Sequence, residues 1–268
     1  MEGNGQRGQL FIIGGAEDKE GDCKILREFV RQAGGLQAHL VIMTVATELP
    51  KEVGDSYTEI FERLGAEDVK VLDTGKREDA EDPEAIALIE QATGVFFTGG
   101  NQARITEMLR DTKLHHVMLD RLKQGLVIGG TSAGAAMMPD MMIVSGEAET
   151  NPRVEVAEME PGMGFLPGFV IDQHFAQRGR LGRLLSALMQ QPAVLGFGID
   201  ENTAIVVNGN TLEVIGDGAV TIVDVANVTH TNADNLLKDE DMAICGAKLH
   251  ILPHGYRFHI ENRTPIAS

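Results

Sequence analysis

The sequence predicts a doubly wound α/β sandwich with a β-rich C-terminal part, on three observations. Short apolar, β-branched runs alternate with longer amphipathic stretches over most of the chain, the rhythm of βαβ units around a parallel sheet. One of those runs passes through a small-residue turn, Gly129-Gly130-Thr131-Ser132-Ala133-Gly134, straight into a helix-forming segment. After Leu195 the rhythm changes to short strands punctuated by turn signals, which marks added antiparallel structure.

In chain order, the apolar runs at 10–13, 40–45, 69–72, 95–97, 126–128 and 169–171 are short enough for strands and apolar enough to be buried on both faces. Helical periodicity fills the gaps at 24–33, 57–64, 83–91, 103–123 and 181–189. From 195 to 260, Asn208-Gly209-Asn210 and Gly216-Asp217-Gly218 signal antiparallel hairpins, added to the sheet or packed beside it. No Pro/Gly/Ser-rich linker divides the chain, so residues 1–268 are expected to form one domain, with 1–8 and 262–268 flexible.

Composition narrows the function classes. Lys+Arg 23 against Asp+Glu 40 gives a formal charge of −17, which argues against a nucleic-acid backbone binder because such proteins need a cationic footprint. Aromatics at 4% and the absence of Trp leave few rings for stacking on bases. Hydrophobic residues at 43% suffice for a substantial core. No apolar run approaches the length of a membrane span, and residues 1–9 are polar without a cationic segment leading into an apolar one. Cys23 and Cys245 stand alone with no CxxC spacing, so neither a disulfide framework nor a thiolate zinc site is indicated. The expectation is a soluble cytoplasmic protein without a membrane partner.

The strongest chemical signal is Gly130-Thr131-Ser132-Ala133-Gly134, a G-x-S-x-G nucleophile elbow. Its glycines leave room for a sharp strand-to-helix turn that lifts the serine hydroxyl above the sheet. The N–H of Ala133, at the start of the following helix, points where an oxyanion would form. A packed Gly/Ser turn would share the pattern; the strand before it and the helix after it favour the chemical reading.

A serine nucleophile needs a base, and the base an orienting carboxylate. Of the eight histidines, only His174 closes a core strand, in Phe169-Val170-Ile171-Asp172-Gln173-His174, at the carboxyl edge where open α/β sheets place ligands and where Ser132 ends its own strand. Three carboxylates could serve it. Asp200 and Glu201 follow a short apolar strand, and Asp172 lies two residues from His174; Glu201 is favoured, with Asp172 kept for substrate contact. The resulting order, Ser, His, Glu, differs from that of the α/β-hydrolases and counts against an ordinary esterase.

Glycine pairs close two other strands. Neither Gly14-Gly15 nor Gly99-Gly100 fits GxGxxG, so no dinucleotide cofactor is expected; the second pair is placed to lend an oxyanion donor. Arg178, Arg180 and Arg183 cluster after His174 in an otherwise acidic chain, as a clamp for substrate carboxylates would. His250 and His254 are split by Pro253, and HExxH is missing, so no metal site is expected. Met137, Met138, Met141 and Met142 suit packing behind the elbow.

Together, Ile12-Ile13-Gly14-Gly15-Ala16-Glu17-Asp18-Lys19, Phe97-Thr98-Gly99-Gly100-Asn101-Gln102, the elbow, Asp172-Gln173-His174-Phe175 and Gly198-Ile199-Asp200-Glu201 resemble the cyanophycinases, serine peptidases related to the aspartyl dipeptidase peptidase E. The resemblance implies a flavodoxin-like three-layer sandwich akin to class I glutamine amidotransferases, in a cytoplasmic homodimer. It implies a substrate, cyanophycin, whose poly-aspartate backbone carries arginine on its side-chain carboxyls, and release of β-Asp-Arg dipeptides from the chain end. It further implies Ser132 as nucleophile, His174 as base, Glu201 as its orienting carboxylate, and Gly100 and Ala133 as oxyanion donors. Asn101, Asp172, Gln173, Arg178, Arg180 and Arg183 would line the groove. The rival readings are a peptidase E-type Asp-X dipeptidase and a non-enzymatic ligand-binding protein on the same fold.

Overall fold

The computed structural model describes residues 8–237 and 240–266. In chain order, the elements that position the site are β1 (Leu10–Ile13), α1 (Lys24–Gln32), β2 (His39–Met43), α2 (Pro50–Arg63), β3 (Asp68–Leu72), α3 (Pro83–Gln91), β4 (Gly94–Phe97), α4 (Gln102–Leu109), α5 (Lys113–Lys123), β5 (Val127–Thr131) and α6 (Ala133–Ala136). They are followed by β6 (Met141–Gly146), β7 (Ala157–Pro161), β8 (Phe169–Gln173), α7 (Leu181–Gln190), β9 (Leu195–Ile199), β10 (Thr203–Asn208), β11 (Thr211–Gly216) and β12 (Ala219–Asp224).

A parallel block, β3-β2-β4-β5-β1, forms the heart of a nine-stranded sheet. The succession β3-β2-β4-β5 follows the flavodoxin-like order 2-1-3-4, and the chain's first strand takes the fifth place. Side chains alternate across the sheet. Leu10 and Ile12 join Val95, Phe97 and Ile128 in a core closed by α3, α4 and α5. Phe11 and Ile13 join Phe29, Phe61 and Phe96 beneath α1 and α2. Helices on both faces make the three-layer α/β sandwich that the sequence predicts. Beyond β1 the sheet continues antiparallel through β10, β11 and the strands Arg257–His259 and Thr264–Ile266.

The 169–171 run departs from expectation. It forms β8 of a separate four-stranded sheet, parallel to β9, which pairs with β12 and then with Lys248–Pro253. Phe169 and Ile171 face the main core while Val170 faces α7, so the strand is apolar on both faces without belonging to the central sheet. The C-terminal turns divide as well. Gly209 and Asn210 close the β10–β11 hairpin, whereas Gly216-Asp217-Gly218 carries the chain from one sheet to the other.

Smaller differences have local causes. The predicted 103–123 helix is broken into α4 and α5, because Asp111 turns left-handed (φ 61°) and Thr112 caps α5 by accepting from the His115 N–H (3.3 Å). The predicted 57–64 helix starts at Pro50, a residue suited to the first helical position. β3 is an edge strand and half-exposed, not buried on both faces. The β6–β7 hairpin was not anticipated. At the expected loose ends, Gly8 is buried and donates its N–H to the Leu122 carbonyl (2.7 Å), while residues 1–7 lie outside the described residues. Residues 262–266 are held, not loose: Thr264–Ile266 is a strand, and Arg263 reaches Asp224 (2.9 Å) and the Ala193 carbonyl (2.5 Å); residues 267–268 lie outside the described residues.

Candidate active site

Ser132 sits between the end of β5 and the four-residue helix α6, with φ 52° and ψ −108°. For a residue with a Cβ this is strained backbone, tolerated only where neighbours over-determine it. Its N–H is held by the Ile13 carbonyl (3.0 Å), and its own carbonyl accepts from Ala135 and Ala136. The hydroxyl Oγ lies 3.0 Å from His174 Nε2.

His174 follows β8 with φ 50° and is 9% exposed. Its N–H donates to the Gly14 carbonyl (2.8 Å), and Nδ1 lies 2.6 Å from Glu201 Oε1. A carboxylate at that nitrogen keeps the proton on Nδ1 and leaves Nε2 free to accept from Ser132. Burial lowers the imidazole's pKa from its ordinary value; Glu201 pulls it back up, and the nearby guanidinium of Arg178 lowers it further. A neutral base at neutral pH results.

The other two carboxylates considered for this role are engaged elsewhere. Asp200 accepts from the N–H groups of Ala176 (3.0 Å) and Ala219 (3.1 Å), tying the loop after His174 to β12. Asp172 is 1% exposed and lies between Arg183 and Arg180: Arg183 Nε donates to Oδ2 (2.9 Å), its Nη2 to Oδ1, and Arg180 Nη1 lies 3.3 Å from Oδ1. Arg180 also donates to the carbonyl (2.5 Å) and side-chain oxygen of Gln173, and Arg183 to the Gly146 carbonyl (3.3 Å). Burial pushes the Asp172 carboxyl up against the pull of both guanidiniums, and burial brings Arg180 down to about 10. Asp172, Gln173, Arg180 and Arg183 therefore form a buried hydrogen-bonded network, where an open groove lining was expected, and within it Arg180 Nε has no partner among the described residues. Arg178 and Asn101 are exposed; the Asn101 side chain also caps α4 by accepting from the Ala103 N–H (3.0 Å).

The Gly99-Gly100 turn abuts Ser132: a Cβ on Gly99 would lie 3.5 Å from that of Ser132. Gly100 has φ +143°, and a Cβ there would meet the Ala46 carbonyl oxygen at 2.1 Å. Ala133 is the first residue of α6, where a backbone N–H has no intrahelical partner. Met137, Met138 and Met142 are fully buried behind the elbow, as expected, whereas Met141, expected with them, is half-buried at the start of β6.

Sequence reasoning missed several supporting residues. Gly15 (φ +98°) packs on the His174 ring, since a Cβ there would lie 2.3 Å from His174 Cε1. Asn202 donates its N–H to the Gly15 carbonyl (2.8 Å) and accepts at Oδ1 from the Asp18 N–H (2.8 Å), locking the Glu201 loop. Gln177 accepts from the Glu201 N–H (3.0 Å). The signal for the first was present in the Gly-Gly pair after β1; nothing local marks the others, whose partners are distant in sequence. Among the described residues no cluster of side chains has a metal-ligating arrangement, and no helix is long and apolar enough to cross a membrane.

Against known proteins, residues 10–215 match the sequence model of peptidase family S51. The chain is 42% identical over 257 residues to the cyanophycinase of Trichormus variabilis, covering 95% of this chain and 86% of that one. It is 41% identical over 263 residues to the cyanophycinase of Geminocystis herdmanii, covering 97% of each. The crystal structure of a peptidase from an acI-B1 actinobacterium has the same fold, with a TM-score of 0.69 at 21% identity, covering 95% of this chain and 97% of that one.

Proposed function

The chain belongs to peptidase family S51, and from that membership we propose that it is a serine exopeptidase that hydrolyses cyanophycin to β-Asp-Arg dipeptides. One observation carries the chemistry: Ser132 Oγ, the His174 ring and the Glu201 carboxylate lie in line, at 3.0 and 2.6 Å. The relatives' shared name supports the substrate.

In this mechanism, Ser132 attacks a backbone carbonyl of the polymer as His174 Nε2 takes the hydroxyl proton. Glu201 holds the imidazole in the productive tautomer and stabilises the imidazolium that forms. The N–H groups of Gly100 and Ala133 receive the oxyanion, each worth on the order of 10²-fold or more in rate. His174 then protonates the leaving amine, the C–N bond breaks, and an acyl-enzyme remains. Water, deprotonated by the same imidazole, releases the acyl group. Of the residues expected to contact substrate, Arg178 and Asn101 are exposed, which supports assigning them to meet it. The same reading takes the protein to act as a homodimer in the cytoplasm, where its unpaired Cys23 and Cys245 would stay reduced.

The test is mass spectrometry of soluble products after the wild type and Ser132→Ala are incubated with cyanophycin, with an Asp-X dipeptide in parallel. Release of β-Asp-Arg by the wild type, slowed by about 10⁴-fold or more in the variant, is the expected result. An intact polymer beside a cleaved dipeptide would assign the activity to the peptidase E type, and no cleavage of either by folded protein would end the enzymatic reading.

A further inference from the structure

The turn that leaves β1 touches every part of the catalytic constellation. The Ile13 carbonyl accepts from the Ser132 N–H, the Gly14 carbonyl from the His174 N–H, and the Gly15 carbonyl from the N–H of Asn202, next to Glu201. Backbone bonds of this kind fix a site only as firmly as the turn itself is held.

The side chain that holds it is Glu17, which is 5% exposed. Its Oε2 accepts from Thr131 Oγ1 (2.5 Å), and its Oε1 accepts from the Tyr57 hydroxyl. Lys19 Nζ lies 3.7 Å from Oε1 and 4.4 Å from the centroid of the Tyr57 ring. A carboxylate is costly to take out of water unless hydrogen bonds and a counter-charge offset the loss, and here they come from three separate places: the strand end before Ser132, helix α2, and the turn itself. None of the chemical steps above uses Glu17.

We propose that Glu17 is a positioning residue for the peptidase reaction. It clamps the β1 turn, which carries the backbone acceptors for Ser132 and His174, to Thr131, the residue immediately before the strained nucleophile. The Ser132–His174 distance is thereby set from below the sheet edge. The tight Thr131 bond matters because Ser132 keeps its unusual φ and ψ only while both flanks are fixed, and misplacing a nucleophile by about 1 Å costs on the order of 10²-fold in rate.

This inference rests on Ser132 being the nucleophile, so the experiment reads that separately. The rate at which a phosphonofluoridate labels Ser132 is measured for the wild type, Glu17→Ala, Glu17→Gln and Thr131→Val, beside kcat and KM on cyanophycin and thermal melting. Labelling and kcat should fall by about 10- to 10²-fold in Glu17→Ala and Thr131→Val with KM nearly unchanged. Glu17→Gln should recover most of the rate, because the amide oxygen still accepts from one hydroxyl and the other hydroxyl can accept from the amide N–H. Folded Thr131→Val that is labelled and turns over at the wild-type rate overturns the proposal, and this variant carries the test if Glu17→Ala does not fold. A wild type that resists the reagent overturns the serine-nucleophile reading, and the positioning role falls with it.

Discussion

Two polar clusters grow from the same stretch of chain and behave in opposite ways. His174 and the Asp172–Arg180–Arg183 network are within a few residues of each other on β8 and the start of α7, and all are at most 9% exposed. In the network, every hydrogen bond runs to another member or a backbone carbonyl, and one carboxylate is bracketed by two guanidiniums, with Arg180 Nε left without a partner among the described residues. In the triad each member has one side-chain partner toward the next, the outer carboxylate of Glu201 is half-exposed, and the nucleophile lies on strained backbone. Charges that satisfy one another are architecture; a line of groups left open at one end can act on something else.

The comparison breaks most visibly if the network loses one member. Arg183→Ala leaves the Asp172 carboxylate buried with half its compensation gone, and uncompensated buried charges cost about 3–5 kcal/mol. The expected outcome is a melting temperature lower by on the order of 10 °C, while the protein that remains folded keeps most of its kcat. Calorimetry beside single-turnover kinetics checks both. A large loss of kcat with unchanged melting would move Arg183 from architecture to catalysis.

The same contrast explains what was legible in the sequence. Ser132, His174 and Glu201 could be read because each ends an apolar strand, and strand ends at the carboxyl edge converge whatever the sheet. The strand before His174 was legible as a strand but not as a member of a second sheet, since Phe169 and Val170 are buried on opposite faces in either arrangement. Arg180 and Arg183 read as substrate contacts from sequence because a free guanidinium and one folded back onto Asp172 have the same sequence. Gly15 was visible only as half of a Gly-Gly pair; that its missing Cβ is the space filled by the His174 ring follows from the fold. Glu17 stands in the motif after β1, but its role was not legible there, because its Thr131 partner is more than a hundred residues away, as is the Asp18 partner of Asn202 counted from that residue.

A second prediction concerns that space. Gly15→Ala places a methyl group where the His174 ring stands, at a φ of +98° that L-residues rarely adopt. The ring can yield only by giving up its bonds to Ser132 or Glu201. Activity on cyanophycin should fall by roughly 10²-fold or more, as for other misplaced bases, with a smaller loss of stability than in Arg183→Ala. Wild-type kcat in Gly15→Ala would mean that the catalytic geometry tolerates more movement than the network does.

The smallest effect sharpens the comparison most, because Arg178 belongs to neither cluster's contacts and Glu201 is the outermost member of one. Burial lowers the pKa of His174, Glu201 opposes that shift, and Arg178 adds to it. Only the neutral imidazole can accept the Ser132 proton, so the acid limb of kcat/KM should lie below the ordinary histidine value of about 6.5. Arg178→Gln removes a cation that disfavours the imidazolium, and the limb should move to higher pH. Glu201→Gln removes the group that favours it, and the limb should move lower while kcat drops. Arg178→Lys keeps the charge but not the planar fork, so its limb should stay with the wild type. Limbs that coincide in all three variants would show that burial alone sets the pKa of His174 and that Arg178 does not act on it.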